Sequence, residues 1–204
     1  MRQVTGSNPT TSNKKVSIQL RLGGHSFSRD VLNKKVAEDA IVEIELLTPK
    51  SIIAPTECFD PNLAANLMQI SGIALAEGEQ VVWSDDQDGV TALVALDGEI
   101  VDELKQTYGE RLHFTSPLLR SVASEGRYLY IYNMGGFAYL KLCNGSAIEF
   151  CEALPLASAD DILYSVEALV REFGVESFEI YVAGEEREEL INTLKQYYKV
   201  RKCE

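Results

Sequence analysis

Residues 127–182 constrain this chain most: three apolar runs, a helix-period segment and a fourth run follow one another with strong turn signals between them. Tyr128, Tyr130 and Tyr132 alternate with Leu129 and Ile131, so both faces of that strand carry bulk and the strand is central. Gly135-Gly136 turns the chain into residues 137–142, and Asn144-Gly145 turns it again into residues 147–154, a three-stranded meander. A two-residue Asn144-Gly145 turn sets Cys143 opposite Ser146 and Cys151 opposite Ala138. Ser158 and Asp161 then form a capping box, and Ile162, Val166, Leu169 and Phe173 recur at helical spacing until Gly174 ends the helix. Phe178, Ile180 and Val182 alternate as a further strand, and residues 185–197 make a last helix around Leu190, Ile191 and Leu194.

The first half carries similar material. Val16, Ile18, Leu20 and Leu22 alternate with polar residues, Gly23-Gly24 turns the chain toward residues 25–28, and residues 41–47 supply the third strand of a second meander. Asp60-Pro61 opens a helix whose buried stripe is Leu63, Leu67 and Ile70, flanked by Ala64 and Met68. Strands follow at 80–83 and 90–96 across an acidic tip, then a helix through Ile100, Leu104 and Tyr108, a strand at 111–114, and a short helix opened by Ser116-Pro117. Strand, strand, strand, helix, strand, helix is the order of a ribonuclease H-like unit. The expected fold class is therefore α/β with mixed sheets, built as two tandem ribonuclease H-like subdomains: a flexible tail over 1–15, a first subdomain with insertions over 16–125 and a second over 126–204.

Ser17-Ile18-Gln19-Leu20 leading to Gly24-His25-Ser26-Phe27-Ser28, Ala54-Pro55 with Phe59, and Asp160-Asp161-Ile162-Leu163-Tyr164 resemble an uncharacterised bacterial family, the domain of unknown function 3822. That family is similar in fold to actin-like ATPases, including type IV pilus and cell-division members. The resemblance implies no activity, but it implies three loops at which such ATPases hold nucleotide. Where the first carries D-x-G, this chain has Arg21-Leu22-Gly23, followed by Gly24. Where the second carries D-x-G-G, it has Asn133-Met134-Gly135-Gly136. Where the third pairs two glycines against adenosine, it has Gly184-Glu185. An amide or a guanidinium cannot gather hydrated magnesium as a carboxylate does, and phosphoryl transfer depends on that metal and its positioned water.

The implied protein is a non-catalytic, actin-like-fold scaffold without a cofactor, working through a protein partner or self-association. Gly23, Gly24, Asn133, Gly135, Gly136 and Gly184 remain as vestigial loop positions. The alternative is an ATP-binding protein with weak or no hydrolysis. Taken without the resemblance, these glycines are turn residues and nothing more.

Other chemistry finds little support. A net charge of −12 opposes nucleic-acid binding, and a nuclease of this fold needs an aspartate on the first strand, where Arg21 stands. Residues 84–89 brush a calcium-loop pattern but begin with Ser84 and reach Ala95 where the bidentate glutamate belongs. His25 and His113 lack metal or triad spacing. The four cysteines are far apart and expected free, no apolar run would span a bilayer, and no secretory pattern is present, so a cytoplasmic setting is expected. Asn144-Gly145-Ser146 then reads as a turn, and the tyrosine stripe as a sheet face lying under a helix.

Overall fold

A computed structural model describes residues 14–21, 36–122, 125–156, 158–174 and 178–203. In chain order the strands are β1 (Lys15–Arg21), β2 (Ile41–Leu47), β3 (Ser51–Pro55), β4 (Glu79–Trp83), β5 (Val90–Asp97), β6 (Leu112–Thr115), β7 (Arg127–Asn133), β8 (Ala138–Asn144), β9 (Ala147–Leu154), β10 (Glu179–Gly184) and β11 (Lys199–Lys202). The helices are α1 (Ala64–Ile70), α2 (Gly98–Tyr108), α3 (Ala159–Phe173) and α4 (Arg187–Leu194). They assemble as a mixed α/β protein with three sheets, ordered β1-β2-β6, β3-β5-β4 and β11-β10-β7-β8-β9.

The five-stranded sheet forms as the hydrophobic pattern dictates. β7, β8 and β9 are an antiparallel meander, while β10 and β11 run parallel to β7. On one face Leu129, Ile131, Leu140, Leu142, Ile180 and Val182 are sealed by Ile162, Val166 and Leu169 of α3 and Leu190, Ile191 and Leu194 of α4. The capping box is formed, since Ser158 Oγ accepts from the Asp161 amide and the Asp161 carboxylate accepts from the Ser158 amide. Gly174 ends α3 in the left-handed region at φ 61°. The last helix is shorter than periodicity predicts. After Leu194 the chain turns and adds β11, a strand too short and too charged to announce itself by alternation.

In the first sheet, residues 41–47 are not the third strand of a meander. β2 lies parallel to β1, with Ile18 opposite Ile44 and Leu20 opposite Leu46, and β6 is parallel to β2. A parallel neighbour needs a crossover of a dozen or more residues, and the 19 positions between Arg21 and Ile41 provide one. Residues 22–35, which include the expected Gly23-Gly24 turn, lie outside the described residues, as do residues 1–13 of the expected tail. The parallel order β1-β2-β6 matches the parallel order β7-β10-β11 of the larger sheet.

The register of the β8–β9 hairpin also differs from expectation. Asn144 pairs with Ala147, so Gly145-Ser146 is the turn, and an irregularity at Leu142/Cys143 shifts the ladder by one residue. Cys143 accordingly faces Ile148 and Cys151 faces Lys141. All four cysteines are free thiols. The acidic tip joins β4 to β5 as expected, with Asp88 at φ 55° and the Asp85 carboxylate paired with the His113 ring at 2.6 Å.

The tyrosine face of β7 and β8 lies under no α-helix; the short 3-10 helix Pro117–Leu119 covers part of it. Tyr128, Tyr130, Tyr132 and Tyr139 pack with Leu47, Leu118 and Ile53, which come from the first part of the chain. Tyrosine suits this junction because a ring buries area while its hydroxyl reaches a backbone partner. The Tyr139 hydroxyl accepts from the Thr48 amide at 2.7 Å and donates to the Thr48 carbonyl at 2.8 Å. Tyr139→Phe strands the buried Thr48 amide, while the Thr48 carbonyl keeps the Ser51 hydroxyl at 2.9 Å, and should lower stability by about 1–3 kcal/mol in urea unfolding. An unchanged midpoint would show that the junction does not depend on this bond.

Candidate functional site

β1, β7 and β10 end at Arg21, Asn133 and Gly184, and the turns beyond their carboxyl ends meet. Ligands of open α/β sheets bind at such strand ends. Arg21 reaches out of the first sheet to both turns of the second: Nη1 donates to Glu185 Oε2 at 2.7 Å and Nη2 donates to the Met134 carbonyl at 2.7 Å. Asn133, Gly135, Gly136 and Gly184 stand in one place, and Arg21 ties them to the end of β1. Gly23 and Gly24 lie outside the described residues.

The Asn133 side chain is nearly buried and fully employed. Its Oδ1 accepts from the Gly135 amide at 3.3 Å, and its Nδ2 donates to the Glu185 carbonyl at 3.1 Å. An aspartate here would set a second lone-pair oxygen against that carbonyl, so the turn is built for an amide. The Oδ1 contact, for its part, occupies the Gly135 backbone N–H, a group that an anion-binding loop would aim at its ligand.

Carboxylates crowd the glycine turn. A side chain at Gly135 would meet Glu185 Oε2 and the Glu186 carboxylate at 3.6 Å. Glu186 enters α4 in the left-handed region at φ 50°, and Glu188 and Glu189 occupy the first turn. These acids complement the positive end of the helix and would repel a phosphate placed there.

Gly184 is required by its surroundings. Its φ is +94°, and a Cβ would lie 2.0 Å from the Asn133 carbonyl oxygen, where the ladder continues as the Glu185 amide donates to that same oxygen. Gly136, at φ 159°, has open space where its Cβ would stand.

Next to the turns a cleft of about 720 Å³ opens between the two sheets, lined by Gln19, Arg120, Tyr130, Tyr132, Glu185 and Arg187 among others. Its wall holds a buried carboxylate, Glu45, gripped in two-pronged fashion by Arg120 at 2.6 Å and 2.6 Å and bonded by Gln19 at 2.7 Å. Arg120 also lies over the Tyr132 ring, 4.8 Å from its centroid, and Gln19 donates to the Tyr132 hydroxyl. Burial pulls the guanidinium of Arg120 down, but the Glu45 carboxylate outweighs this and holds it above its ordinary value. Burial pushes the Tyr130 phenol up against the pull of Arg120, and its hydroxyl makes no hydrogen bond of ordinary geometry. Lys141, behind the same wall, is held below its ordinary value by burial and donates to the Arg120 carbonyl. The Glu45–Arg120 pair escaped the sequence reading. Its signal was present, a glutamate inside the apolar run Ile44-Glu45-Leu46-Leu47, but nothing in the spacing points to Arg120.

Among the described residues no three histidine, cysteine, aspartate or glutamate side chains are arranged to hold a metal ion, and no helix is long and apolar enough to cross a membrane.

A solved structure from Bacteroides thetaiotaomicron, a protein with actin-like ATPase fold and unknown function, superimposes with a TM-score of 0.72 over 97% of this chain and 94% of that one, at 15% identity. The fold is that of the actin-like ATPases. The chain is also similar, at TM-score 0.43 and 13% identity over 79% of this chain and 68% of the other, to the PilM-PilN type IV pilus biogenesis complex. The cytoplasmic domain of EpsL, an inner membrane component of the type II secretion system of Vibrio cholerae, matches at TM-score 0.37 and 12% identity over 84% of this chain and 77% of that one. No protein-family model and no curated protein matches the sequence.

Two substitutions separate a glycine held by collision from one held by backbone conformation alone. Gly184→Ala should destabilise by about 3 kcal/mol or more, from backbone collision and a left-handed φ, whereas Gly136→Ala, with open space but a positive φ, should cost about 1–2 kcal/mol. Thermal unfolding of the pair checks this, and similar losses in both would contradict it. Asn133→Asp should cost about 1–3 kcal/mol in the same assay through the stranded Glu185 carbonyl.

Proposed function

We propose that this actin-like fold serves a non-catalytic, protein-interaction role, with its nucleotide loops replaced by contacts within the chain. Two tandem ribonuclease H-like subdomains, residues 16–125 and 126–204, belong to this reading. The matching parallel strand orders of the two sheets support it. So does a cytoplasmic setting, with which four free thiols agree.

The observation that carries the proposal is the Arg21 bridge. A side chain that would have to supply negative charge to a metal instead supplies positive charge to Glu185 and to the Met134 carbonyl. Asn133 is spent on the turn itself, and the helix end beside it is already filled by glutamates. Opening this arrangement for magnesium and a triphosphate would mean breaking the bridge and placing phosphates among carboxylates. Gly135, Gly136 and Gly184 then persist for backbone geometry, not for a ligand.

One observation favours a second reading, ATP binding without hydrolysis. The cleft has the volume of a small-molecule site and is lined by Arg187 and Arg120, cations able to meet a phosphate. Thermal-shift titration with magnesium and ATP separates the two. A site filled to about 100 times its Kd adds about 2.7 kcal/mol, a rise in Tm of several degrees. The expected result is no shift and no phosphate release. A saturable rise that Arg187→Ala abolishes would overturn the proposal in favour of the second reading.

A further inference from the structure

The helix stripe that periodicity assigns to the core faces solvent. α1 buries Ala64 and Met68 against Leu93 and Ala95 of the β3-β5-β4 sheet, with Leu67 at the margin. Leu63 is 49% exposed and Ile70 83% exposed. On β4 of the same sheet Trp83, 42% exposed, stands edge-on to Phe59 at 5.7 Å. Three of the five large hydrophobic side chains left exposed among the described residues therefore belong to this one small unit.

The surrounding sequence has a second peculiarity. Residues 61–76 contain no charged side chain at all, in a chain of which 25% is charged and whose net charge is −12. Solvated helices ordinarily carry charge on their outer face, and interface cores are where charge is depleted. Here Asn62, Asn66 and Gln69 take the place of the usual lysines and glutamates.

We infer that α1 is the contact by which two copies of this chain associate. The charge pattern selects the occupant. Two molecules of net charge −12 repel wherever their acids meet, so a self-contact has to be neutral on both sides, and this helix is the neutral apolar face. Glu57, Asp60 and Glu77 bound the segment at its ends, where water and salt screen them. The spacing also permits a closed contact. Leu63, the N-cap of α1, and Ile70, its last residue, stand seven positions apart about a midpoint between Asn66 and Leu67. An antiparallel pair of α1 helices related by a twofold axis at that midpoint sets Leu63 of each copy over Ile70 of the other, which is the condition for a closed dimer. A face this small makes a weak association, with a Kd of about 10–100 μM.

The inference gives the interaction role proposed above a surface and an occupant, and it rests on that reading for its purpose. Its experiment is independent of the nucleotide titration. A monomer that ignores ATP would sink the dimer and leave the interaction role standing; a dimer that binds ATP would do the reverse.

Sedimentation velocity across a concentration series, in a Cys58→Ser background, should show a reversible monomer–dimer equilibrium that tightens when NaCl is raised about tenfold. The emission of Trp83, the single tryptophan, should shift to the blue over the same range. Ile70→Glu and Leu63→Glu each place repelling charge in the contact and should weaken dimerisation about tenfold or more. Both side chains are exposed, so circular dichroism should show intact folding. Tyr164→Ser, which removes a 74% exposed aromatic from α3, should leave dimerisation unchanged. Asn66→Cys should form a disulfide-linked dimer on mild oxidation. A chain that stays monomeric to about 1 mM, or a dimer indifferent to both glutamate variants, would overturn the inference.

Discussion

The relation between the two sheets rests on one surface, the tyrosine face of β7 and β8. A sheet of this size must cover both faces. α3 and α4 cover one, and no α-helix covers the other; the first part of the chain does so through Leu47, Ile53 and Leu118 of the short 3-10 helix Pro117–Leu119. Tyrosine makes that contact specific as well as apolar. Tyr139 closes a two-bond clasp on the Thr48 backbone, and Tyr132 joins Gln19 and Arg120 at the Glu45 carboxylate. These hydroxyls and charges have partners only when the two sheets stand in one relative position, so polar satisfaction fixes the orientation that apolar burial alone would leave loose.

That orientation decides what the strand ends can do. With the sheets held together, the tip of β1 comes within one arginine's length of the turns after β7 and β10. Arg21 then makes a charged hydrogen bond to Glu185 and another to a carbonyl. The ion pair is half exposed and contributes little to stability on its own; its consequence is positional. The place where opposed carboxylates would enclose a metal is crossed by a guanidinium. Asn133 and Glu185 complete a network in which donors and acceptors near the glycine turn are directed at one another.

Much of this was legible in the sequence, and the failures share a cause. The meander of the second half, the α3 capping box and the Gly174 stop rest on local chemistry, and local chemistry is what a sequence displays. The turn glycines are legible one by one because they serve backbone geometry, at +66° for Gly135 and +94° for Gly184. Residues 41–47 went to the wrong neighbour because strand pairing depends on the connection, and a dense apolar strand looks the same whether its partner is parallel or antiparallel. The hairpin register slipped because an irregularity beside Cys143 absorbs a residue, which alternation cannot signal. The tyrosine stripe was assigned to a helix because pattern shows that a face is covered and not by what.

The stripe on α1 is the instructive miss. Leu63, Leu67 and Ile70 have the spacing of a core face, and Ala64 and Met68 offer a competing one a residue away. The small β3-β5-β4 sheet chooses between them: Leu93 and Ala95 leave room for a close approach by Ala64 and for the unbranched Met68. Once those are inside, the helix has no further interior to give, and the larger side chains are turned outward. A segment with two apolar faces and no charge has one face more than a folded monomer can bury. The same excess explains both why periodicity misassigned the stripe and why this short helix, of all the described surface, is the part of an acidic protein suited to meeting its own copy.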